Sequence, residues 1–432
     1  MSNLSKAFAF SCLFILSACG GSGDDQSTAL NQGPLVDMPL SSTINNVQPF
    51  TGIVTWIDYW NADSIETTAG NTQLEFKYVK YSEIVSQEDQ YDWTAVETIL
   101  DAAASRGNQA IIRFYYTYPA DTRGGVPDYI LNTTGYNGVT ANSEGSPTKF
   151  PDWSSTELQE FTLEFYTAFA ERYDDDPRLA FLQVGFGLWA EYHIYDGPNT
   201  LGAQFPSKGY QAQFIKHLAN AFQNLRWSIS KDAGSSDYSD IATTDALQNV
   251  VFGLFDDSFM HQTHDQYNRD MLLALRYEPR YEVAPIGGEF SYYSDFDQEH
   301  VLDEAGMYGR TVEELSEQYH VSYMIGNDQP DYQTDARIKA VGMAMGYKFN
   351  VTAFSVSPTA AEVTIENTGI APIYYDAYPA VNGVRSETSL KGLLPGVSRT
   401  FSINAGGSNP SLTIESDRLV AGQVIEYSAN LP

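Results

Sequence analysis

The sequence predicts a (β/α)8 TIM barrel followed by a small all-β sandwich domain. Apolar strand-like runs alternate with helical patterns over ~300 residues, and about eight repeats favour a closed barrel over an open sheet. The strand-like runs are apolar on both faces, which is typical of parallel sheets covered by helices. From about residue 350 the chain changes to short alternating runs with turn residues, a pattern typical of a β-sandwich.

The barrel elements follow one another in a regular order. The predicted strands are 50–60, 74–84, 109–118, 179–188, 249–257, 283–290 and 321–327, and an eighth is expected after the last helix. The predicted helices are 92–107, 154–173, 210–225, 268–277, 311–319 and 334–349. Residues 120–150 are rich in Gly, Asn, Thr and Pro, which predicts a long loop after the third strand.

The N-terminal segment has the features of a bacterial export signal. Lys6 precedes an apolar stretch that is too short to span a membrane, and "LSAC" resembles a lipoprotein processing motif. The resemblance implies cleavage before Cys19 and lipidation of that residue; the alternative is an ordinary secretory signal. We therefore predict four segments, with a lipid-anchored location in the cell envelope: a signal peptide (1–18), a flexible tether (19–46), the barrel (47–349) and the sandwich (350–432).

Charge and cysteine content restrict the class of partner. The formal net charge is −31, which disfavours nucleic acid and anionic lipid surfaces, so any membrane contact is expected through the lipid anchor only. No cysteine follows Cys19, so stability has to come from the core without disulfides. No glycine-rich phosphate loop opens a helix, and no cofactor is predicted.

Carboxylates and aromatic residues are concentrated where the predicted strands end. In barrels of this type the working residues lie at the carboxyl ends of the strands. Glu191 follows the fourth predicted strand, and Glu289 lies at the end of the sixth, after Gly287 and Gly288, which would allow close approach of backbone or substrate. Two carboxylates facing each other across a cleft are what cleavage of a glycosidic bond requires. Glu191 and Glu289 are therefore the candidate catalytic pair, each with a structural or substrate-holding role as the alternative.

Other residues at the strand ends are candidates for supporting roles. Asp256 and Asp257 are the second choice as catalytic groups, with capping of the next helix as the alternative. Arg113 is expected either to hold a neighbouring carboxylate ionised or to bind an anionic substituent. His261 and His264 lie three residues apart, but no further ligand is patterned near them, and no metal is predicted. The predicted substrate-binding residues are Trp56, Asp58, Lys80, Arg113, Tyr115, Trp189, Tyr192, His193 and Asn327.

Three short motifs resemble a family of bacterial glycoside-hydrolase-like barrels classed as domains of unknown function. They are "GLWAEYH" (187–193), "IGGEF" (286–290) and "GYKF" (346–349), which leads into the sandwich. The resemblance spans most of residues 50–400 and implies a retaining-type barrel with Glu191 and Glu289 at the matching positions. Ala190 and Tyr192 stand where the pattern has Gly and Trp. Many two-glutamate barrel glycosidases carry the second carboxylate on strand seven, whereas the predicted order puts Glu289 on strand six.

Together these features predict a glycoside hydrolase that acts on a polysaccharide or oligosaccharide, with algal polysaccharide as one candidate. Glu191 would be the general acid/base and Glu289 the nucleophile or second carboxylate. The alternative is a non-catalytic glycan-binding surface lipoprotein that uses the barrel as a scaffold. A third hypothesis is a structural envelope protein whose sandwich domain mediates assembly.

Overall fold

A closed barrel of eight parallel strands forms the body of the molecule. The computed structural model describes residues 33–60, 62–326 and 328–432, so the predicted signal peptide, Cys19 and Asn327 lie outside the described residues. The barrel strands, in chain order, are Gly52–Trp56, Leu74–Lys80, Gln109–Tyr115, Leu179–Val184, Arg226–Ser230, Gly253–Phe259, Ile286–Phe290 and Tyr323–Gly326. Each strand pairs in parallel with its chain neighbour, and the eighth closes on the first. The predicted fold class is confirmed.

The fifth barrel strand was missed by the sequence prediction. Arg226–Ser230 has no continuous apolar run: Trp227 and Ile229 pack in the core under the helices, while the alternate residues Ser228 and Ser230 are buried serines. The eighth strand is Tyr323–Gly326, so no barrel strand follows the last helix. Ile286–Phe290 is therefore the seventh strand, which corrects the predicted position of Glu289 from strand six to strand seven.

Helices cover the outer face of the barrel. The longest, Thr156–Tyr173, begins at Ser155, whose side chain accepts a hydrogen bond from the backbone N–H of Leu158. Its buried face includes Phe161, Phe165 and Phe169, at the spacing of a helical stripe. The other helices are Ala62–Thr68, Tyr81–Ile84, Thr94–Ser105, Asp128–Leu131, Lys208–Ala221, Asp245–Gln248, Asp265–Ala274, Tyr277–Tyr281, Asp295–His300, Val312–Tyr319, Gln329–Tyr332 and Asp335–Ala344, with 3-10 turns at Ala69–Asn71, Lys231–Gly234 and Ile241–Thr243.

Two hairpins extend the loops at the mouth and side of the barrel. Val85–Gln87 pairs with Gln90–Tyr91, and Val139–Ser143 pairs with Ser146–Phe150. The second hairpin lies within the predicted loop 120–150, together with the short helix Asp128–Leu131. Glu144, at the tip of this hairpin, bonds with Tyr195 in the loop after the fourth barrel strand. The hairpin is thereby fixed at the edge of the barrel mouth.

The C-terminal region forms two sheets that pack against the barrel; their strand pairs are antiparallel except that Phe349–Val356 and Tyr427–Leu431 pair in parallel. One sheet contains Ser398–Ile403, Ala361–Asn367, Phe349–Val356 and Tyr427–Leu431, and the other contains Val384–Arg385, Tyr378–Val381 and Leu412–Glu415. Val36–Asp37 and Leu40–Ser42 add two strands to the first sheet. These residues were predicted as part of a flexible tether; their backbone hydrogen bonds instead make them part of the sandwich.

The sandwich closes the end of the barrel opposite the mouth. The Tyr375 ring packs on Phe50 and Phe181, with ring centroids 4.8 Å and 6.0 Å away. Its hydroxyl donates to the Ala180 carbonyl oxygen and accepts from the Arg226 backbone N–H at 3.2 Å. The sandwich therefore seals the barrel floor with aromatic residues and binds the fourth and fifth strands together.

Within the part of the chain that the structure describes, no helix is both long enough and apolar enough to cross a membrane.

Candidate active site

A cavity of about 540 Å³ opens at the carboxyl ends of the barrel strands. Its size is in the range of sites for small ligands. Aromatic and carboxylate side chains dominate its wall, from strands one, two, six and seven and from the loops after strands one, three, four and seven. The lining residues are Trp56, Tyr59, Tyr78, Tyr118, Glu144, Trp189, Glu191, His193, Tyr195, Asp257, Glu289, Tyr292 and Tyr293. The predicted catalytic pair therefore faces one cavity.

Glu289 lies within the seventh strand and is held by two donors. It is 2% exposed. Arg113 Nη2 donates to its Oε1 at 2.5 Å, and the Tyr292 hydroxyl donates to its Oε2. Gly287, two residues before it, is required because a Cβ there would lie 2.4 Å from the Tyr323 ring inside the barrel. The strand thus approaches its neighbour closely and presents a fixed carboxylate to the cavity.

Arg113, on the third strand, is completely buried beneath the cavity. Its guanidinium donates to Gln183 Oε1 at 2.8 Å and to the Tyr78 hydroxyl at 2.7 Å, in addition to Glu289. Burial by itself would lower the pKa of Arg113, but the neighbouring acidic groups, Glu289 first among them, together outweigh burial and raise that pKa. With its donors taken up in this way, Arg113 does not line the cavity. Of its two predicted roles, the geometry supports holding a carboxylate.

Glu191 is placed by a loop that folds back on itself after the fourth strand. The Gly187 backbone N–H donates to the Glu191 carbonyl oxygen at 2.8 Å, and Leu188 N–H donates to the His193 carbonyl oxygen at 3.1 Å. A Cβ at Gly187 would lie 1.9 Å from that carbonyl oxygen. Ala190, where the resembled family has glycine, has φ of +56°. The glycine-rich sequence therefore permits the tight return that turns Glu191 toward the cavity.

The surroundings of Glu191 favour its protonated form. It is 4% exposed, and Arg113 Nη1 lies 3.6 Å from its Oε1, farther than Arg113 lies from Glu289. Burial, followed by the negative charge of Asp257, raises the pKa of Glu191 well above its usual value. His193 Nε2 lies 3.6 Å from the other carboxyl oxygen. Glu191 is therefore suited to donate a proton near neutral pH.

A buried network of charged groups supports Glu191 from below. Lys231 Nζ contacts Asp257, and it lies 3.4 Å from Asp256 Oδ1 and 3.7 Å from Asp232 Oδ2. Burial would raise the pKa of Asp257, but Lys231 lowers it overall, whereas burial raises the pKa of Asp256 to about 6. Asp257 is therefore the ionised partner of protonated Glu191.

His193 connects this network to the cavity wall. Its Nδ1 lies 3.1 Å from Asp232 Oδ2. Burial would lower the pKa of His193, but the charge of Asp232 raises it. Asp232 also accepts hydrogen bonds from Ser230 at 2.5 Å and Tyr267 at 2.9 Å. Sequence reasoning missed Lys231 and Asp232 because it missed the strand that they follow; the alternating run "RWSIS" directly before them was the available signal.

Four residues of this network have donor atoms close enough to hold a metal ion. The donor atoms of Glu191, His193, Asp232 and Asp257 lie within 4.8 Å of one another. The buried ammonium of Lys231 already pairs with both aspartates. His261 and His264, the two histidines three residues apart in the sequence, have other partners. His261 Nδ1 lies 2.6 Å from Asp297 Oδ2, and His264 Nδ1 lies 3.1 Å from Ser258 Oγ.

The predicted substrate-binding residues divide into three groups. Trp56, Trp189 and His193 line the cavity, and Asp58 and Tyr115 line an adjoining groove. Tyr192 is wrongly predicted: it is fully buried and packs on Phe186 and Phe205 in the core. Neither Arg113 nor Lys80 lines the cavity, and the ammonium of Lys80 pairs with Asp121 at 2.9 Å. Asn327 lies outside the described residues.

No family model matches the chain, and no curated protein matches it in sequence. Among solved structures it is similar to a xylanase of Paenibacillus barcinonensis, with 12% identity, a TM-score of 0.40, and coverage of 70% of this chain and 100% of that one. A β-galactosidase of Halorubrum lacusprofundi has 11% identity, a TM-score of 0.39 and coverage of 68% and 57%. An α-galactosidase of Thermus thermophilus has 13% identity, a TM-score of 0.38 and coverage of 74% and 66%. The chain thus spans less than two thirds of both galactosidases, and any assignment of activity rests on the site itself.

Proposed function

We propose that the protein is a retaining glycoside hydrolase, with Glu289 as nucleophile and Glu191 as general acid/base. The observation that carries this proposal is that two buried carboxyl groups from strands four and seven face one cavity in opposite environments. Arg113 and Tyr292 hold Glu289 by donating to it, while burial and Asp257 keep the proton on Glu191. Pairs of carboxyl groups whose surroundings differ in this way are typical of an acid and a nucleophile.

Retention is the stereochemical outcome that we propose. Arg113 lies 2.5 Å from Glu289 and 3.6 Å from Glu191, so a single guanidinium contacts both carboxyl groups. A covalent mechanism requires carboxyl groups about 5 Å apart, and groups at that separation can share one guanidinium. An inverting mechanism needs a water molecule between the second carboxylate and the sugar, and therefore a wider gap.

The reaction follows from the protonation states of the two groups. A Glu289 oxygen attacks the anomeric carbon while Glu191 donates its proton to the glycosidic oxygen, and the bond to the leaving group breaks. Glu191, now ionised, takes a proton from water, whose oxygen attacks the same carbon and releases Glu289. Trp189 and Tyr293 in the cavity wall offer ring surface against which a sugar can pack.

The decisive experiment is a screen of the purified protein against polysaccharides, followed by substitution of each glutamate. We expect Glu191→Gln and Glu289→Gln to lower kcat by about 10²–10⁴-fold or more with the fold intact. Glu278→Gln, an exposed carboxylate on a surface helix, is the matched control. The anomeric configuration of the first product, followed by NMR, distinguishes retention from inversion. Glycan binding without turnover on any substrate would instead indicate a non-catalytic binding protein.

The cellular location is proposed separately, from the N-terminal sequence alone. The "LSAC" motif supports lipidation of Cys19 and anchoring in the cell envelope. Mass spectrometry of the protein from its native membrane fraction tests this, because a lipidated N-terminal cysteine has a characteristic added mass. Release of Cys19→Ser from the membrane fraction is the expected result, and unchanged membrane retention would contradict it.

A further inference from the structure

A second groove adjoins the catalytic cavity. It has a volume of about 440 Å³ and shares Trp56, Tyr59, Tyr78 and Tyr118 with the cavity. Groups outside the cavity, from the first three strands and their loops, complete its wall. Because the same four aromatic residues line both spaces, the groove adjoins the cavity along this aromatic wall.

The shared wall has the chemistry of a sugar-binding surface. Tyr59 is 52% exposed, packs edge-on against Trp56 at 4.3 Å, and is hydrogen bonded to Tyr118. Trp56 beneath it is only 4% exposed, so Tyr59 supplies the exposed ring of this wall. An exposed tyrosine face beside a phenolic hydroxyl suits a ring that is both apolar and rich in hydroxyl groups.

The groove lies on the Glu289 side of the cavity. Tyr292, which donates to Glu289, packs on Trp56 at 5.7 Å, and Tyr78, which accepts from Arg113, lines both spaces. The partners of Glu191, His193 and Asp257, line only the cavity. The leaving group has to lie beside the acid, so sugar units on the Glu289 side belong to the part of the chain that remains on the nucleophile.

The charges in the groove indicate an uncharged ligand. Its one cationic side chain among the described lining residues is Lys77, which is paired with Asp58. Glu83 adds a further negative charge to the groove wall. A sulfate or a uronic acid would therefore find no unpaired cation there and would be repelled by the carboxylates.

Resting on the proposed glycosidase activity, we propose that this groove binds the sugar unit next to the cleaved unit, on its non-reducing side, and that this outer unit is uncharged. The protein is then selective for neutral oligosaccharides that have at least two sugar units on the non-reducing side of the cleaved bond. Binding energy from the outer unit is used at the reacting centre, so it raises kcat/KM for the longer substrate.

The test compares p-nitrophenyl glycosides of glucose, xylose and mannose with those of cellobiose, xylobiose and mannobiose. For the sugar that is cleaved, we expect kcat/KM to be at least about tenfold higher for the disaccharide. Asp58→Ala and Tyr115→Ala, in the groove wall, should lower the disaccharide-to-monosaccharide ratio toward one. Glu88→Ala, an exposed carboxylate outside the groove, should leave the ratio unchanged.

The outcomes separate this inference from the proposed activity. If the protein hydrolyses both lengths with equal kcat/KM, the groove does not bind the outer sugar. The same conclusion follows if both groove variants keep the disaccharide-to-monosaccharide ratio. In either case the proposed glycosidase activity stands. If no glycoside or polysaccharide is hydrolysed, the proposed activity is wrong, and so is the proposed role of the groove. A sulfate ester on a hydroxyl of the outer sugar should abolish the gain, and a larger gain with the sulfate would overturn the inference of an uncharged unit.

Discussion

The two ends of the barrel are both buried, but they are built from different chemistry. At the mouth, Arg113, Glu191 and Lys231 are each 4% exposed or less, and each contacts an opposite charge. At the opposite end, the Tyr375 ring of the sandwich packs on Phe50, and the Arg418 guanidinium lies over the same ring and donates to backbone carbonyl oxygens. Buried charges contribute little net stability, whereas buried aromatic area contributes much.

This difference predicts that the two ends of the barrel have different roles. The mouth holds ionised groups at fixed positions, which is what a catalytic cavity requires. The floor supplies packing energy and no reacting groups. Substitutions at the mouth should therefore change activity and pH dependence, and substitutions at the floor should change stability alone.

The largest effect is expected from Arg113→Met. It leaves Glu289 buried without its cation, and breaking a buried ion pair from one side costs about 3–5 kcal/mol. Urea unfolding would measure this loss, and kcat/KM should fall as well because Glu289 loses its orientation. Arg172→Met, which breaks an exposed pair with Glu97, should cost less than about 1 kcal/mol.

A double variant tests the same ion pair between Arg113 and Glu289. Arg113→Met combined with Glu289→Gln removes both charges, so it should be more stable than Arg113→Met alone. Equal stability of the single and double variants would show that the pair does not determine the energetics of the mouth.

The next effect concerns the floor. Tyr375→Ala removes a buried ring that contacts Phe50 and Phe181, and we expect a loss of about 3 kcal/mol or more in the free energy of unfolding. At temperatures below unfolding, kcat should equal that of the unsubstituted protein. A large change in kcat with little change in stability would contradict the prediction that the floor contributes to stability and not to activity.

A smaller effect is expected in the pH profile of Asp257→Asn. The charge of Asp257 helps to raise the pKa of Glu191, so its removal should lower that pKa. Glu191 acts protonated, and its proton would then be lost at lower pH. The alkaline limb of kcat/KM should therefore move to lower pH. If the alkaline limb stays where it is in the exposed control Asp237→Asn, Asp257 does not raise the pKa of Glu191.

The smallest effect is expected from Tyr375→Phe, which keeps the ring and removes the hydroxyl. Two hydrogen bonds, with Ala180 and Arg226, are lost, at a cost of about 1–2 kcal/mol. Thermal unfolding compared with Tyr375→Ala separates this contribution from that of the ring. If the two variants lose the same stability, the floor is held by the hydroxyl and packing is secondary.

The strand-end rule predicted much of the site, and its failures have identifiable causes. Glu191 and Glu289 follow or end apolar runs, and the structure brings both to one cavity. Lys231 was missed because the strand before it contains Ser228 and Ser230, which break the apolar signal. Tyr192 was assigned to the cavity from its neighbours in sequence, but the loop turns its side chain into the core.

By itself, the sequence determined the alternation of strands and helices, the change to a sandwich near residue 350, and the choice of glutamates as candidate catalytic groups. These are local properties, because hydrophobic period and residue type are read within a few turns of chain. Only the tertiary structure decided that Arg113 contacts both glutamates, that Asp257 faces Glu191, and that Tyr375 closes the floor. Each of these contacts joins residues that are distant along the chain, and protonation states depend on burial and on charges that only folding brings together.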